Sequence, residues 1–159
     1  TLVNLPGGNP LPEDDGIFTF AAGDACNLAE FRNNSFHIAH SNSVIEHVGN
    51  WQHVLDFANE LQRVAKVFYL QTPNFWFPIE PHFVCPFLHW LPKALRIKMI
   101  ANFNIGPHKK VQNYHAARIK AESYNLLSKR DLRHLFPHAA LHKERFFLLT
   151  KSLIVTNKG

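Results

Sequence analysis

Phe36-His37-Ile38-Ala39-His40-Ser41-Asn42-Ser43-Val44-Ile45-Glu46-His47-Val48 is the stretch that decides the fold. Its apolar run stops at a small polar turn, the pattern of a buried strand in an open α/β sheet, where ligands bind beyond the carboxyl ends of the strands. Upstream, Ile17-Phe18-Thr19-Phe20-Ala21-Ala22 is a second apolar run ending at Gly23-Asp24-Ala25. Downstream, Val67-Phe68-Tyr69-Leu70 is a third, ending at Gln71-Thr72-Pro73-Asn74. Three strands that end in polar residues can line one crevice.

The connections fill in around these strands. Residues 6–16 are turn chemistry throughout and predict a loop. Asn50 is an N-cap candidate for a helix whose apolar positions, Val54, Phe57, Ala58, Leu61 and Val64, recur at helical period. Residues 75–105 form an insert too aromatic for a free linker and too rich in proline for a strand or long helix. A helix is expected around His115–Tyr124, and a shorter one over Lys129–Leu135 capped by Ser128 and ended by Pro137. Lys143–Thr150 and Ser152–Thr156 read as two tightly joined strands.

At 159 residues the chain is expected to be one domain, 1–159, with the insert at about 75–105. Its apolar content suffices for a real core, and no run approaches the roughly 20 apolar residues of a membrane span. Two cysteines, Cys26 and Cys85, make no disulfide framework, which points to reduced thiols and a cytoplasmic location. The net charge of +5 is spread over modest clusters such as Lys93, Arg96 and Lys98, so solvated faces rather than a nucleic-acid surface are expected. Eleven histidines raise the question of a metal. His134 and His138 have a ligand spacing, but Pro137 breaks the helix that would align them, and no metal is expected.

Gly23-Asp24-Ala25-Cys26-Asn27-Leu28 followed by Ser35 to Val48 resembles the middle of a class I S-adenosylmethionine-dependent methyltransferase of the type 11-like group. The resemblance continues through Gln71-Thr72-Pro73-Asn74 and from Leu126-Leu127-Ser128 to Lys151-Ser152-Leu153-Ile154, in the family's order. It implies an α/β, Rossmann-like sheet with helices on both faces and a C-terminal antiparallel hairpin. It also implies S-adenosylmethionine as cofactor and S-adenosylhomocysteine as its product. The family opens with a strand, a glycine-rich turn and a helix. Here the early glycines, Gly7, Gly8 and Gly16, lie in a proline-rich stretch, and Thr1–Leu5 matches the family's second strand better than its first. The fold is therefore expected to be N-terminally incomplete, without the first βα unit.

That first strand is central in the family and separates the second from the fourth, leaving about two strand spacings of 4.8 Å to fill. Three outcomes are open: the second strand closes on the fourth, another copy supplies a strand, or Thr1–Leu5 moves to the centre. Self-association through an exposed sheet edge, as a homo-oligomer, is the outcome expected.

Carried over residue by residue, the resemblance implies that Asp24 accepts a hydrogen bond from the adenine amino group and that Ala25 lies against the ring. Ser41, Asn42 and Ser43 would face the methionine portion and the transferred methyl group. Turn capping is the plain alternative for Asp24 and for the Ser41–Ser43 turn. Asn4 stands where the family places an acidic residue on the ribose hydroxyls, so weaker cofactor binding is implied. Glu46 and His47 are the leading catalytic candidates, His47 as base or as the group orienting a substrate hydroxyl. The alternative is that His47 packs at a helix start while Glu46 bonds backbone amides. Glu80 and His82 are the second pair, with a loop-holding role as the alternative.

The expected function is methyl transfer to a small-molecule acceptor by the complete protein, and not necessarily by this chain alone. A non-catalytic binding protein on the same scaffold is the alternative. A third reading is an enzyme of the same chemistry whose aromatic insert touches a membrane surface.

Overall fold

The computed structural model describes residues 1–5, 17 and 19–157, so the expected loop over 6–16 lies outside the described residues. In chain order the elements are β1 (Leu2–Asn4), β2 (Phe20–Ala22), β3 (Phe36–Asn42), α1 (Trp51–Val64), β4 (Ala65–Pro73), β5 (Ile79–Glu80), β6 (Cys85–Pro86), α2 (Lys93–Asn102), α3 (Tyr114–Glu122), α4 (Lys129–Leu135), β7 (Ala140–Phe146) and β8 (Leu149–Thr156). Single 3₁₀ turns occupy Ile45–His47 and Leu88–Trp90.

The main sheet has the order β3-β4-β8-β7. β3 and β4 run parallel, with Ser41 beside Leu70 and Asn42 beside Gln71. β8 joins β4 antiparallel, and β7 joins β8 as a hairpin. Alternation along β4 puts Phe68, Leu70 and Thr72 on one face, fully buried with Leu153 and Val155 of β8. Val54, Phe57, Ala58 and Leu61 of α1 and Leu132 and Leu135 of α4 pack on that face. Each of the larger of these side chains contributes on the order of 1.5–3 kcal/mol by leaving water. The opposite face, at Val67, Tyr69, Gln71, Ile154 and Thr156, is half-buried.

The two expected caps are in place. Asn50 Oδ1 accepts from the amides of Gln52 at 2.8 Å and His53 at 3.2 Å, starting α1. Ser128 and Asp131 form a reciprocal capping box at the start of α4. The hairpin differs in one detail. Its strands meet at Phe147-Leu148 rather than at Lys151, with Phe147 at φ 52° and a register shift between Glu144 and Arg145. Two apolar residues at the tip carry none of the usual turn chemistry, so the sequence read straight through them.

β1 and β2 form a separate parallel pair, with the Gly23 amide donating to Asn4 O at 2.8 Å. Packing of Val3, Leu28, Phe31, Phe36, Ala39 and Val64 joins this pair to the main sheet. The Arg63 guanidinium adds a polar clasp, donating to Phe31 O at 2.7 Å and Leu28 O at 2.8 Å while paired with Glu60 at 2.6 Å. Neither closure of β1 on β3 nor a move of Thr1–Leu5 to the centre is seen. Among the described residues no strand pairs with the outer edge of β3, where Ile38 is 69% exposed.

The insert contains more helix than its prolines suggested. Pro92, with φ preset, occupies the cap position before α2, and the ten residues that follow lack Pro and Gly. α2 and α3 enclose a second apolar core of Phe83, Leu88, Ile97, Ile100, Ala117 and Tyr124. No helix of the described residues is long and apolar enough to cross a membrane.

Candidate functional site

Adjacent parallel strands deliver the chemistry-bearing residues to one place. At the carboxyl end of β3 the chain reverses at Ser43, held at φ 53° with its amide donating to Gln71 O at 3.0 Å. The following 3₁₀ turn carries Glu46 and His47. The carboxyl end of β4 leads through Asn74 into the β5–β6 ribbon, which carries Glu80 and, in its turn, His82. In open α/β sheets this is the end where ligands bind.

Glu46 is fully buried. Its Oε2 accepts from the Thr72 hydroxyl at 3.0 Å, and its Oε1 has no partner. The expected bonds from Glu46 to backbone amides are not formed. Its own carbonyl instead accepts from the Asn125 amide at 2.7 Å, tying the turn to the end of α3. His47 is exposed, and its Nε2 lies 2.9 Å from His82 Nε2 with the rings edge to face.

Glu80, also fully buried, accepts from His82 Nδ1 at 2.6 Å, from the His82 amide at 3.0 Å and from the Phe83 amide. Burial opposes ionisation of Glu80, but these hydrogen bonds outweigh it and hold the carboxyl below its usual range. The same hydrogen bond raises the His82 imidazole above its ordinary value, against the opposing effect of burial. Tyr124 stacks on the His82 ring at 4.6 Å between centroids. Behind the ribbon, His108 Nε2 donates to His82 O at 2.9 Å. Gly106, at φ 51°, is required there, since a Cβ would lie 1.9 Å from Phe83 O. Val84 is held at φ 50°, a strained setting for a β-branched residue next to a site.

Glu46, His47 and His82 thus present one carboxylate oxygen and two ring nitrogens within 4.8 Å of one another, a group able to hold a metal ion. Tyr124 also lines an adjoining cavity of about 500 Å³, together with Phe75, His89, Arg96 and Asn125. Three buried polar atoms on its lining residues lack partners: His89 Nδ1, Arg96 Nε and the Tyr124 hydroxyl. Burial lowers the His89 pKa and raises that of Tyr124, so both are neutral near pH 7. A second cavity of about 630 Å³ lies over the half-buried sheet face, lined by Asn42, Ser43, Tyr69, Gln71, Phe77 and Ile79 among others.

The residues assigned to the cofactor fall in two groups. Asn4 and Asp24 end the neighbouring strands β1 and β2, both exposed. Asp24 Oδ1 accepts from the Cys26 amide at 2.9 Å, so the turn-capping role is present. Ala25 packs partly against the main core. Ser41 points to the buried face with its hydroxyl unpartnered, whereas Asn42 points away, and Ser43 Oγ donates to Gln71 Oε1 at 3.0 Å. No hydrogen bond joins the two groups among the described residues. Burial, then the nearby Asp24, pushes the Cys26 thiol up to about 11, which disfavours the thiolate.

No protein-family model matches the chain, and no curated protein matches it. Among solved structures it is similar to the PH0226 protein from Pyrococcus horikoshii OT3, with a TM-score of 0.51 and 17% identity over 86% of this chain and 57% of that one. It is also similar to a possible exported protein from Bordetella parapertussis, with a TM-score of 0.53 and 12% identity over 92% of this chain and 46% of that one. The chain has a Rossmann-like fold. It spans about half the length of these structures, and at such identities the likeness concerns the fold alone.

Within that fold, sequence reasoning singled out Glu46, His47, Glu80 and His82 but as two separate pairs. Thr72, which holds Glu46, and Tyr124, which backs His82, were not singled out. The available signal was positional: both pairs follow strands that proved to be adjacent and parallel.

Proposed function

We propose that the protein transfers a methyl group from S-adenosylmethionine to a small polar acceptor. The observation that carries this reading is the convergence of Glu46, His47, Glu80 and His82 beyond the carboxyl ends of β3 and β4. The donor set present fits part of the cofactor. Asp24 and Asn42 are exposed polar groups at strand ends, suited to an adenine amino group and a hydroxylated chain, and the unpartnered Ser41 hydroxyl adds one buried donor. Asn4 would hold a ribose hydroxyl without the strength of a carboxylate. When bound, the cofactor supplies an electrophilic methyl on a good leaving group, so the protein's task is mainly proximity and orientation.

The acceptor would lie against the His47 ring and the Tyr124-lined cavity, whose unsatisfied His89, Arg96 and Tyr124 atoms suit a polar molecule. His82 Nδ1–H donates to the Glu80 carboxylate, and when the His82 ring is neutral its Nε2 is then the nitrogen free to accept from His47 Nε2–H. As His47 takes the acceptor's proton on its other nitrogen, its Nε2 proton passes to His82. The resulting imidazolium is stabilised by ionised Glu80.

A non-catalytic binding role is the second reading, favoured by Asn4 and by the separation of β1–β2 from β3. Calorimetric titration with S-adenosylmethionine and with S-adenosylhomocysteine tests the proposal. Binding in the micromolar range, weakened by Asp24→Ala, is expected. No binding of either compound to the folded chain would refute it for this chain and favour the second reading.

A further inference from the structure

We infer that Glu46, His47 and His82 form a binding site for a divalent transition-metal ion of the zinc type. Three independent features point to a ligand. First, the buried Glu46 carboxyl keeps Oε1 without any partner, although such groups are rarely left unsatisfied. Second, the Nε2 atoms of His47 and His82 point at each other across 2.9 Å. Two nitrogens bound at about 2.05 Å to one ion are about 2.9 Å apart at a right angle and about 3.3 Å at the tetrahedral angle, so small ring movements admit either geometry. Third, the hydrogen bonds behind two of the ligands already match those of a metal centre. His82 Nδ1–H donates to the Glu80 carboxylate, which turns the Nε2 of the neutral ring toward the site, and the Thr72 hydroxyl donates to one oxygen of Glu46.

The ligand types select the ion. Two imidazoles and one carboxylate suit zinc and its first-row neighbours, whereas magnesium and calcium prefer all-oxygen sets. Three protein ligands leave at least one position for another molecule, on the side where His47 is exposed. The ion would replace the proton shared between the two rings. With the ion bound, the Nε2 atoms of His47 and His82 are ligands, so the proton relay proposed above belongs to the metal-free chain.

The test uses the full chain, stripped with chelator and titrated calorimetrically with Zn²⁺ and with Mg²⁺, with Co²⁺ absorption as a second probe of ligand type. One Zn²⁺ per chain is expected, with Mg²⁺ far weaker. His47→Ala and His82→Ala should each weaken Zn²⁺ binding at least tenfold, and Glu80→Gln, one step removed, by about 10–100-fold. A chain with both His134→Ala and His138→Ala should bind as the parent does. Because a variant can unfold, ring ¹⁵N shifts of the parent chain provide the second readout: Zn²⁺ should move the Nε2 signals of His47 and His82. Absence of Zn²⁺ binding to the folded chain, retention of affinity in both histidine variants, or shifts confined to other histidines would each overturn the inference.

Discussion

Replacing Thr72 by Val removes the hydroxyl that is the one hydrogen-bond partner of the Glu46 carboxyl among the described residues. Thr72 and Glu46 are both fully buried, their bond is 3.0 Å, and Glu46 Oε1 already lacks a partner. The substitution therefore leaves the whole carboxyl group unsatisfied. Loss of the bond and the exposed desolvation penalty together amount to about 2–3 kcal/mol. For a chain of this length that lowers the Tm by about 5–10 °C. Glu46→Leu removes the buried polar group instead and leaves only a neutral hydroxyl unpaired, so its cost is smaller, about 1 kcal/mol. Thr72→Val combined with Glu46→Leu removes both partners and should lie near the parent. Urea unfolding followed by circular dichroism measures all four corners of the cycle, with an unchanged slope as the control. A Thr72→Val midpoint within about 0.5 kcal/mol of the parent, or a double variant as costly as the sum of the singles, would refute the reasoning, since ΔΔG values of coupled residues must depart from additivity. A folded Glu46→Leu chain that no longer binds zinc would show that the carboxyl serves the ion as well as the fold.

The remaining predictions concern the fold and its edges. The hydrogen bond from Arg63 holds the Glu60 carboxyl below its usual range against partial burial, so its stabilisation is full above the unfolded value near pH 4.3 and is lost as pH falls through the lower folded value. The difference in urea midpoint between the parent and Glu60→Gln should accordingly shrink between pH 6 and pH 3, and a constant difference would contradict it. Ser128→Ala should cost about 1 kcal/mol by removing one half of the capping box, measured by thermal unfolding. We propose that the open edge of β3 pairs with a second copy. Ile38→Lys should then lower the mass seen by light scattering at high concentration, and an unchanged mass would count against pairing there.

Much of the scaffold was legible because local and tertiary signals agree. The runs at Phe36 and Val67 read as buried strands and became adjacent parallel strands, but only β4 is central: β3 stands at the edge of the main sheet, with Ser41 its one buried residue. Asn50 and Ser128 announced their helices through cap chemistry that the structure uses. The misses have physical causes. The hairpin tip is built from Phe147 and Leu148, which read as strand because apolar residues give no turn signal. α2 was hidden among prolines, although Pro92 tolerates the first turn of a helix and does not break one that follows it.

The site was legible by residue and not by arrangement. Glu46-His47 and Glu80–His82 stood out as titratable groups just after strands, but 35 residues separate the two histidines that touch. Metal spacing rules look for ligands on neighbouring turns, and they passed over a group assembled from two loops. Thr72 looked like an ordinary strand residue because its role depends on the face to which the pleat assigns it.

The most direct test of the central claim, one ligand site at the carboxyl ends of β3 and β4, is a backbone and histidine-ring NMR titration of the chain with S-adenosylhomocysteine. The account predicts shifts gathered at Asp24, Ala25 and Ser41–Ser43 and reaching His47 and His82, with the β7–β8 hairpin unchanged. Shifts centred away from these strand ends, or none at saturating ligand, would contradict it.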